Sequence, residues 1–392
     1  QRRRSRPRGL SARGKLLAAT PTTTVADWGR PRAFRPGVPA LDAFPHREWK
    51  RLVARRWRYL QGGLLGYGDP AGYRPLREAI AAYLGAARAV RCSWEQVVVV
   101  SGSQQALDLA ARVLLDPGDE AWVEDPGYAG AKAALMGSGT RVVPVPVDEE
   151  GLDVAAGEAA APKARLAYVT PSHQYPSGVT MSLERRLALL AWADRTGAWV
   201  VEDDYDSEYR YSGRPLEALQ GLDSTGCVVY VGTFSKILSP GLRLGYLVAP
   251  LDLVGAFVAA RELTDRHSPQ VEQAVLAHFM AEGHFGRHVR RMRSLYAERR
   301  AALLESAERE LSGLLEVVPA EAGMHLVGLL PEGEDDREAS RRAAAAGVEA
   351  PPLSGFSLAP PRVSGLVLGY AAFDRHEIEE GVRRLRRALI SR

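Results

Sequence analysis

One lysine stands out as a candidate nucleophile. Lys236 ends the segment Thr233-Phe-Ser-Lys, which directly follows the apolar run 228–231 in a chain with only five lysines beside 46 arginines. Because burial disfavours the charged form of an amine and lowers its pKa, a lysine at the end of a buried strand is suited to attack an aldehyde. The hydroxyls of Thr233 and Ser235, with Arg243 further on, could hold a phosphate. An ordinary surface lysine is the alternative.

A run of acidic residues follows another predicted strand, 198–201. Within Glu202-Asp-Asp-Tyr-Asp206, Asp203 could keep a pyridine nitrogen protonated, so that the ring draws electrons from a bound substrate. Tyr205, two residues on and on the same side of an extended chain, could bond a phenolic oxygen. The alternatives are an exposed acidic loop or a metal site. No histidine lies nearby in the sequence, so we expect no metal.

Two further strand ends carry groups of the same kind. The segment Ser101-Gly-Ser-Gln-Gln105 joins a strand to a helix, and backbone N–H groups at a helix N-terminus attract anions. Gly102, Ser103 and Gln104 are the phosphate-binding candidates. Tyr128 follows Asp125-Pro-Gly and could stack on a planar ring, or be a core tyrosine. Together the four strand ends predict a site for pyridoxal 5'-phosphate (PLP).

The elements that position these residues alternate between strand and helix from about residue 75 to 250. This rhythm predicts an α/β domain with a largely parallel sheet. After 250 the pattern changes to long Arg-rich helices, strands within 315–330 and 362–373, and a last helix, which indicates a smaller α+β domain. An amphipathic helix within 41–60 is expected to pack on that smaller domain. The predicted division is a basic linker (1–20), an N-terminal segment (21–60), a large PLP-binding domain (61–260) and a connecting helix with the small C-terminal domain (261–392).

Composition excludes several classes of protein. The 392 residues are 46% hydrophobic and 25% charged, which is typical of a globular chain, and no apolar run is long enough to span a membrane. Two cysteines without metal-ligand spacing fit a reducing cytoplasm. Residues 1–15 hold six arginines and Lys15 without an acid, whereas the rest of the chain is slightly acidic. This basic arm could contact nucleic acid or be a solvated linker.

Longer motifs carry a resemblance to a known family. The chain resembles fold-type I PLP-dependent aminotransferases, and more narrowly the aminotransferase-like domain of the MocR/GabR family of bacterial transcription regulators. The resemblance runs from about residue 40 to the C-terminus. The matching segments are Leu65-Gly-Tyr-Gly-Asp-Pro-Ala-Gly72, Thr170-Pro-Ser-His-Gln-Tyr-Pro-Ser-Gly178, Glu202-Asp-Asp-Tyr-Asp-Ser-Glu208, and Gly232-Thr-Phe-Ser-Lys236 with Pro240-Gly-Leu-Arg243.

The resemblance implies roles for these residues and a homodimer. Lys236 would form the Schiff base with PLP, Asp203 would pair with the pyridine nitrogen, Tyr205 would bond the ring oxygen and Tyr128 would stack on the ring. Tyr67 would reach the phosphate in the neighbouring subunit. The phosphate set is Gly102, Ser103, Gln104, Thr233, Ser235 and Arg243. The family's regulators bind DNA through a winged helix-turn-helix domain before a basic linker, and we expect this chain to begin within that linker.

Three positions depart from the enzymes and from GabR-like sensors of amino acids. Tyr175 stands where aminotransferases have an asparagine near the ring. Val367 stands in place of the arginine that holds a substrate carboxylate, and Arg362, five residues earlier, is a weak substitute. Gly130 replaces an arginine of the GabR-like sensors. These losses make γ-aminobutyrate a poor ligand and favour an amine held differently, or PLP itself. His173 is either close to the cofactor or purely structural.

Three hypotheses follow. In the first, the chain is an effector-sensing and dimerisation domain of a transcription regulator, with the ligand sensed through a Schiff base at Lys236. In the second, it is an active aminotransferase, with the released Lys236 as general base. In the third and weakest, it is a dimerisation module that has lost its cofactor.

Overall fold

The predicted alternation of strands and helices forms an eight-stranded sheet in the computed structural model, which describes residues 9–21, 31–59, 62–211, 216–360 and 363–391. The strands are β1 (Val97–Val100), β2 (Glu120–Asp125), β3 (Arg141–Asp148), β4 (Gly151–Leu152), β5 (Leu166–Val169), β6 (Trp199–Asp204), β7 (Val228–Thr233), β8 (Gly245–Val248), β9 (Glu316–Val318), β10 (His325–Leu329) and β11 (Gly365–Gly369).

The described helices are spread over the whole chain. They are α1 (Ala12–Ala19), α2 (His46–Arg58), α3 (Arg74–Arg88), α4 (Ser103–Leu114), α5 (Ala129–Ser138), α6 (Val154–Ala160), α7 (Leu183–Thr196), α8 (Leu219–Leu222), α9 (Val254–Asp265), α10 (Gln270–Ala281), α11 (His284–Glu310), α12 (Asp336–Ala345) and α13 (Arg375–Ile390). None of these helices has the length and apolar character needed to cross a bilayer.

The large sheet has the order β1-β8-β7-β6-β5-β2-β3-β4. Its central strands β7, β6, β5, β2 and β3 run parallel, and β8 lies antiparallel between β1 and β7. The carboxyl ends of β1, β2, β6 and β7 therefore meet at one edge. Ligands bind at this edge in open α/β sheets, so the topology itself places the predicted site.

Both faces of the large sheet are covered, which explains its continuous apolar strands. In β1, Val98 and Val100 join a cluster with α4, α5 and α9, whereas Val97 and Val99 join another with α3 and α10. A third cluster lies around the stacked rings of Trp122 and Trp192.

The smaller domain has the antiparallel sheet β11-β10-β9, with α11, α12 and α13 packed on it. Leu366 and Leu368 of β11 face this core. Val367 points the other way, because successive side chains of a strand alternate.

The N-terminal segment is divided between the two domains. Phe34 is fully buried in the core of the small domain, whereas Trp49 and Leu52 of α2 pack in the cluster of α3 and α10. The amphipathic helix thus packs in the cluster that covers one face of the large sheet and not in the core around the small sheet. The basic arm also contains a helix, α1, because Ser11 caps it and its alanines and leucines favour helix.

Candidate cofactor site

The four predicted strand ends converge on one cavity of about 880 Å³. Ten of the eleven candidate residues line it: Gly102, Ser103, Gln104, Tyr128, Asp203, Tyr205, Thr233, Ser235, Lys236 and Arg243. The eleventh, Tyr67, is not among the lining residues and is 82% exposed, with Arg266 stacked over its ring at 4.3 Å. Its exposure leaves Tyr67 accessible to a neighbouring subunit, as the role implied by the resemblance requires.

Lys236 lies inside this cavity, and burial lowers the pKa of its amine although Asp206 and Asp203 oppose the shift. Its Nζ donates a hydrogen bond of 2.6 Å to the carbonyl of Gly37. A desolvated amine with a lowered pKa is more often neutral, and the neutral form is the nucleophile. The contact with Gly37 was missed at the sequence level, because nothing in the sequence links residues 199 positions apart.

The two carboxylate oxygens of Asp203 differ in their hydrogen bonding. Its Oδ2 accepts a 2.9 Å hydrogen bond from Tyr168, while Oδ1 is buried without a partner among the described residues. Burial raises the pKa of this carboxyl to about 7. A buried acceptor without a donor is costly, and the protonated nitrogen of a pyridine ring would supply both the missing donor and a compensating charge. The residues therefore fit PLP.

The phosphate end of the cavity is formed where β1 turns into α4. Gly102 makes this turn with φ 103° and ψ 168°, a conformation open to glycine alone. A Cβ at Gly102 would lie 3.3 Å from Nη2 of Arg243, which itself donates to the Ser101 carbonyl at 2.6 Å. The close approach brings a guanidinium and the N-terminus of α4 together, and both favour an anion.

Aromatic rings close the cavity around Tyr175. Its ring meets the edges of Tyr128, Tyr205, His325 and Phe356 at centroid distances of 6.0, 5.9, 5.3 and 5.4 Å. The bulky phenol thus occupies the place where the resemblance puts a small amide. Tyr175 is held there by contacts from four segments.

A buried carboxylate supports this aromatic wall from behind. Glu124 accepts hydrogen bonds from the backbone and hydroxyl of Thr170 and from Gln174. Burial raises its pKa to about 7, although these bonds oppose the shift. Glu124 therefore fixes the loop that carries Tyr175, a role that its place inside a strand did not reveal.

His173 proves to be both structural and adjacent to the site. It is buried, and its Nδ1 lies 2.9 Å from the Tyr205 hydroxyl and 3.1 and 3.2 Å from the two oxygens of Asp206. It is not among the residues that line the cavity. It therefore touches a cofactor-binding candidate without facing the cofactor itself.

The fold also makes a group that sequence spacing hid. His173, Asp206 and His325 bring one nitrogen or oxygen each within 4.8 Å of one another. Such atoms can ligate a transition metal. His325, however, bonds the Pro176 carbonyl through Nε2 at 3.0 Å, and Asp206 already bonds His173.

Two positions carry arginines in relatives, position 367 in the enzymes and position 130 in GabR-like sensors. Both are enclosed here, in different ways. Val367 is fully buried in an apolar cluster with Val327 and Leu353 and is not a cavity residue. A Cβ at Gly130 would lie 2.5 Å from both the Gln104 amide oxygen and the Tyr128 ring. Arg362 lies outside the described residues.

Arginines reach the cavity from another direction. Arg32 and Arg35 line it from the N-terminal segment, and Arg35 bonds Glu349 of the small domain at 2.7 Å. Glu349 lines the cavity as well. The mouth of the cavity therefore offers charges of both signs, which the sequence motifs did not indicate.

Known proteins agree with this geometry. The model of the family described as aminotransferase class I and II matches residues 39–385. A probable rhizopine catabolism regulatory protein, MocR, from Rhizobium meliloti is 44% identical over 97% of this chain and 77% of its own length. The 2-aminoadipate transaminase of Thermus thermophilus is 35% identical over 96% of this chain and 95% of its own length.

Solved structures give the same answer. The α-aminoadipate aminotransferase LysN of Thermus thermophilus, solved with N-(5'-phosphopyridoxyl)-L-leucine, superposes with a TM-score of 0.84 at 35% identity, covering 91% of each chain. The fold is thus fold-type I, and the cofactor is PLP. The chain belongs to the aminotransferase class I and II family, as an aminotransferase-like domain of the MocR/GabR type.

Proposed function

We propose that the chain senses a small amine, or PLP alone, as the effector and dimerisation domain of a cytoplasmic transcription regulator. DNA would be contacted by a winged helix-turn-helix domain N-terminal to this chain. The proposal takes from relatives such as MocR of Rhizobium meliloti a role in regulation and not in metabolism. It keeps the predicted division into linker (1–20), N-terminal segment (21–60), large domain (61–260) and small domain (261–392).

One observation carries this proposal. The cavity retains Lys236 and the Asp203 oxygen that has no partner within the described part of the chain, which supports the binding of a cofactor and an amine. Val367, in contrast, is sealed in an apolar cluster outside the cavity. A chain that keeps the amine-binding machinery without the usual carboxylate clamp is suited to bind an amine and unsuited to process standard amino acids.

The residues of the chain perform separate tasks in this binding. PLP supplies the aldehyde that reacts with amines and a ring that accepts electrons. Arg243 and the N-terminus of α4 hold its phosphate end, Asp203 holds the ring nitrogen and Lys236 offers its amine. Binding regulates only if the effector binds one arrangement of the domains better than another.

The spectrum of the PLP-loaded chain tests the proposal. We expect a visible band near about 410–430 nm for the wild type and not for Lys236→Ala. Tyr230→Phe, which changes a buried hydroxyl that bonds Asp204 at 2.6 Å, is a control outside the cavity. An amine that shifts the band persistently supports a sensor. A chain without the band would overturn the proposal.

A second function, aminotransferase activity, is favoured by the same machinery. Lys236 has a lowered pKa, as a general base requires, and a transaminase is 35% identical over nearly the full chain. Adding an α-keto acid after the amine separates the two functions. Many turnovers would show an enzyme, whereas a single slow conversion is compatible with a sensor.

A further inference from the structure

A chain of three side chains leads from the buried interior to the wall of the cavity. Asp206 and Tyr205 lie just beyond β6, and His173 comes from the loop after β5. Both oxygens of Asp206 lie within 3.2 Å of His173 Nδ1, and the Tyr205 hydroxyl lies 2.9 Å from the same nitrogen. Asp206 and His173 are each at least 98% buried, so this arrangement is protected from water.

The contacts determine which atoms carry hydrogen. An ionised carboxylate only accepts hydrogen bonds, so Asp206 requires the hydrogen of His173 to be on Nδ1. That N–H also faces Tyr205, whose hydroxyl oxygen must then accept. The hydroxyl hydrogen of Tyr205 is left for another acceptor. Within the described part of the chain, Tyr205 Oη has no second hydrogen-bond partner, and Tyr205 lines the cavity.

The same wall of the cavity has a phenol where the enzymes have an amide donor. Tyr175 stands in place of their asparagine, and its ring meets that of Tyr205 edge-on, 5.9 Å between centroids. The hydroxyls of Tyr128, Tyr175 and Tyr205 all belong to lining residues, and Tyr205 is distinguished by the contact of its oxygen with His173, which orients its hydrogen.

We propose that His173, anchored by Asp206, is a positioning residue that fixes Tyr205 as a hydrogen-bond donor to the ring oxygen of PLP. This inference rests on the proposed PLP site. The group that titrates in the loaded protein is the nitrogen joining Lys236 to the cofactor. A donor at the ring oxygen stabilises its negative charge and makes that nitrogen less basic.

Other ionisable groups face the same region and are left unchanged by the test. They are Asp203, Lys236, Tyr128, Tyr175, His325, Arg32, Arg35, Arg243 and Glu349. Burial lowers the pKa of His325 to about 3, so it stays neutral across the useful range. Its Nε2 bonds the Pro176 carbonyl and does not compete for Tyr205.

The experiment is a pH titration of the visible band of the PLP-loaded chain. We expect Tyr205→Phe and His173→Phe each to raise the apparent pKa by roughly one unit. His173→Asn, which keeps an N–H donor near Nδ1, should stay close to the wild type. The double variant should shift no further than Tyr205→Phe alone, because both changes remove the same donor.

Each other result contradicts part of the argument. If the wild type has no visible band, the PLP proposal fails and this inference fails with it. If the band is present but His173→Phe leaves its pKa unchanged while Tyr205→Phe shifts it, or if the shifts add, only the role of His173 is refuted. Nitrogen-15 NMR of the wild-type chain gives a check without variants. Hydrogen on Nδ1 of His173 is expected, and hydrogen on Nε2 alone would overturn the inference.

Discussion

At the scale of single residues, the buried carboxyls give the site a dependence on pH. Burial raises the pKa of Asp203 to about 7, whereas an unfolded chain has a value of about 3.9. A group with a raised pKa stabilises the folded state below its unfolded value, and this contribution is lost as the pH rises through its folded value. The cofactor-free chain is thus stabilised by protonated Asp203 at low pH.

We therefore predict that Asp203→Asn changes how the stability of the cofactor-free chain depends on pH. The free energy of unfolding of the wild type, relative to this variant, should fall between about pH 4 and pH 7. Urea unfolding at several pH values measures the difference. Glu124 and Glu202 titrate in the same range, so the difference between the two proteins isolates Asp203. A constant difference would contradict the assignment.

The sequence predicted the residues that follow strand ends and missed those that act through the fold. Lys236, Asp203 and Arg243 belong to ordered motifs, and the parallel sheet brings them together. Tyr168 contacts Asp203 from inside a neighbouring strand, where it has the pattern of an ordinary core residue. No local signal separates such a tyrosine from the other buried ones.

At the scale of elements, the turn from β1 to α4 determines the phosphate end. We predict that Gly102→Ala weakens PLP binding about fivefold or more, because an alanine in this conformation is strained by about 1–3 kcal/mol and crowds Arg243. Gly118→Ala is the matched control, since Gly118 also has positive φ (97°) but nothing within 4 Å of its added Cβ. Fluorescence titration with PLP compares the two. Equal affinities would show that the turn does not hold the phosphate.

Asp125 and Lys132 of the large domain bond residues 356–359, and we call this group of contacts the clamp. Asp125 accepts hydrogen bonds from the backbone of Leu358 and Ala359, and Lys132 bonds both Asp125 and the Phe356 carbonyl. The contacts made to residues 356–359 span more than 220 residues of chain, so the sequence could not reveal them. The clamp places Phe356 against the aromatic wall of the cavity.

We predict that Lys132→Met loosens the clamp. The loss of a buried charged donor should lower the free energy of unfolding by about 1–3 kcal/mol and speed amide exchange in residues 356–359. Lys163→Met, at an exposed lysine, is the control. Hydrogen exchange read by mass spectrometry locates the effect. Faster exchange spread evenly over the chain would argue against a local clamp.

At the scale of the whole molecule, the proposed dimer completes each site. Tyr67 is 82% exposed, so it is accessible to a second copy of the chain. We predict that Tyr67→Ala weakens PLP binding even though Tyr67 lies outside the cavity of its own chain. Mixed dimers with Lys236→Ala should regain one complete site, because one site of the pair then holds both native residues.

Absorbance of co-expressed, doubly tagged dimers measures that recovery, with each variant dimer alone as the control. Recovery to about half of the wild-type band is expected, and the absence of any recovery would place Tyr67 outside the site.

The sequence predicted the class of the two domains well, since strand and helix periods are local. The packing of α2 on α10 was not predictable, because its apolar face is equally suited to either domain.

The tight space at Gly130 limits how this family member could evolve. An arginine there, as in GabR-like sensors, needs room that Gln104 and Tyr128 occupy. Its side chain would fit only if both neighbours moved, and each of them is a cofactor-binding candidate. A single codon change at position 130 therefore disturbs two cofactor-binding candidates at once. Ligand preference in this lineage is expected to change by coordinated substitutions, and a library that varies positions 104, 128 and 130 together should yield new specificities where single-site libraries do not.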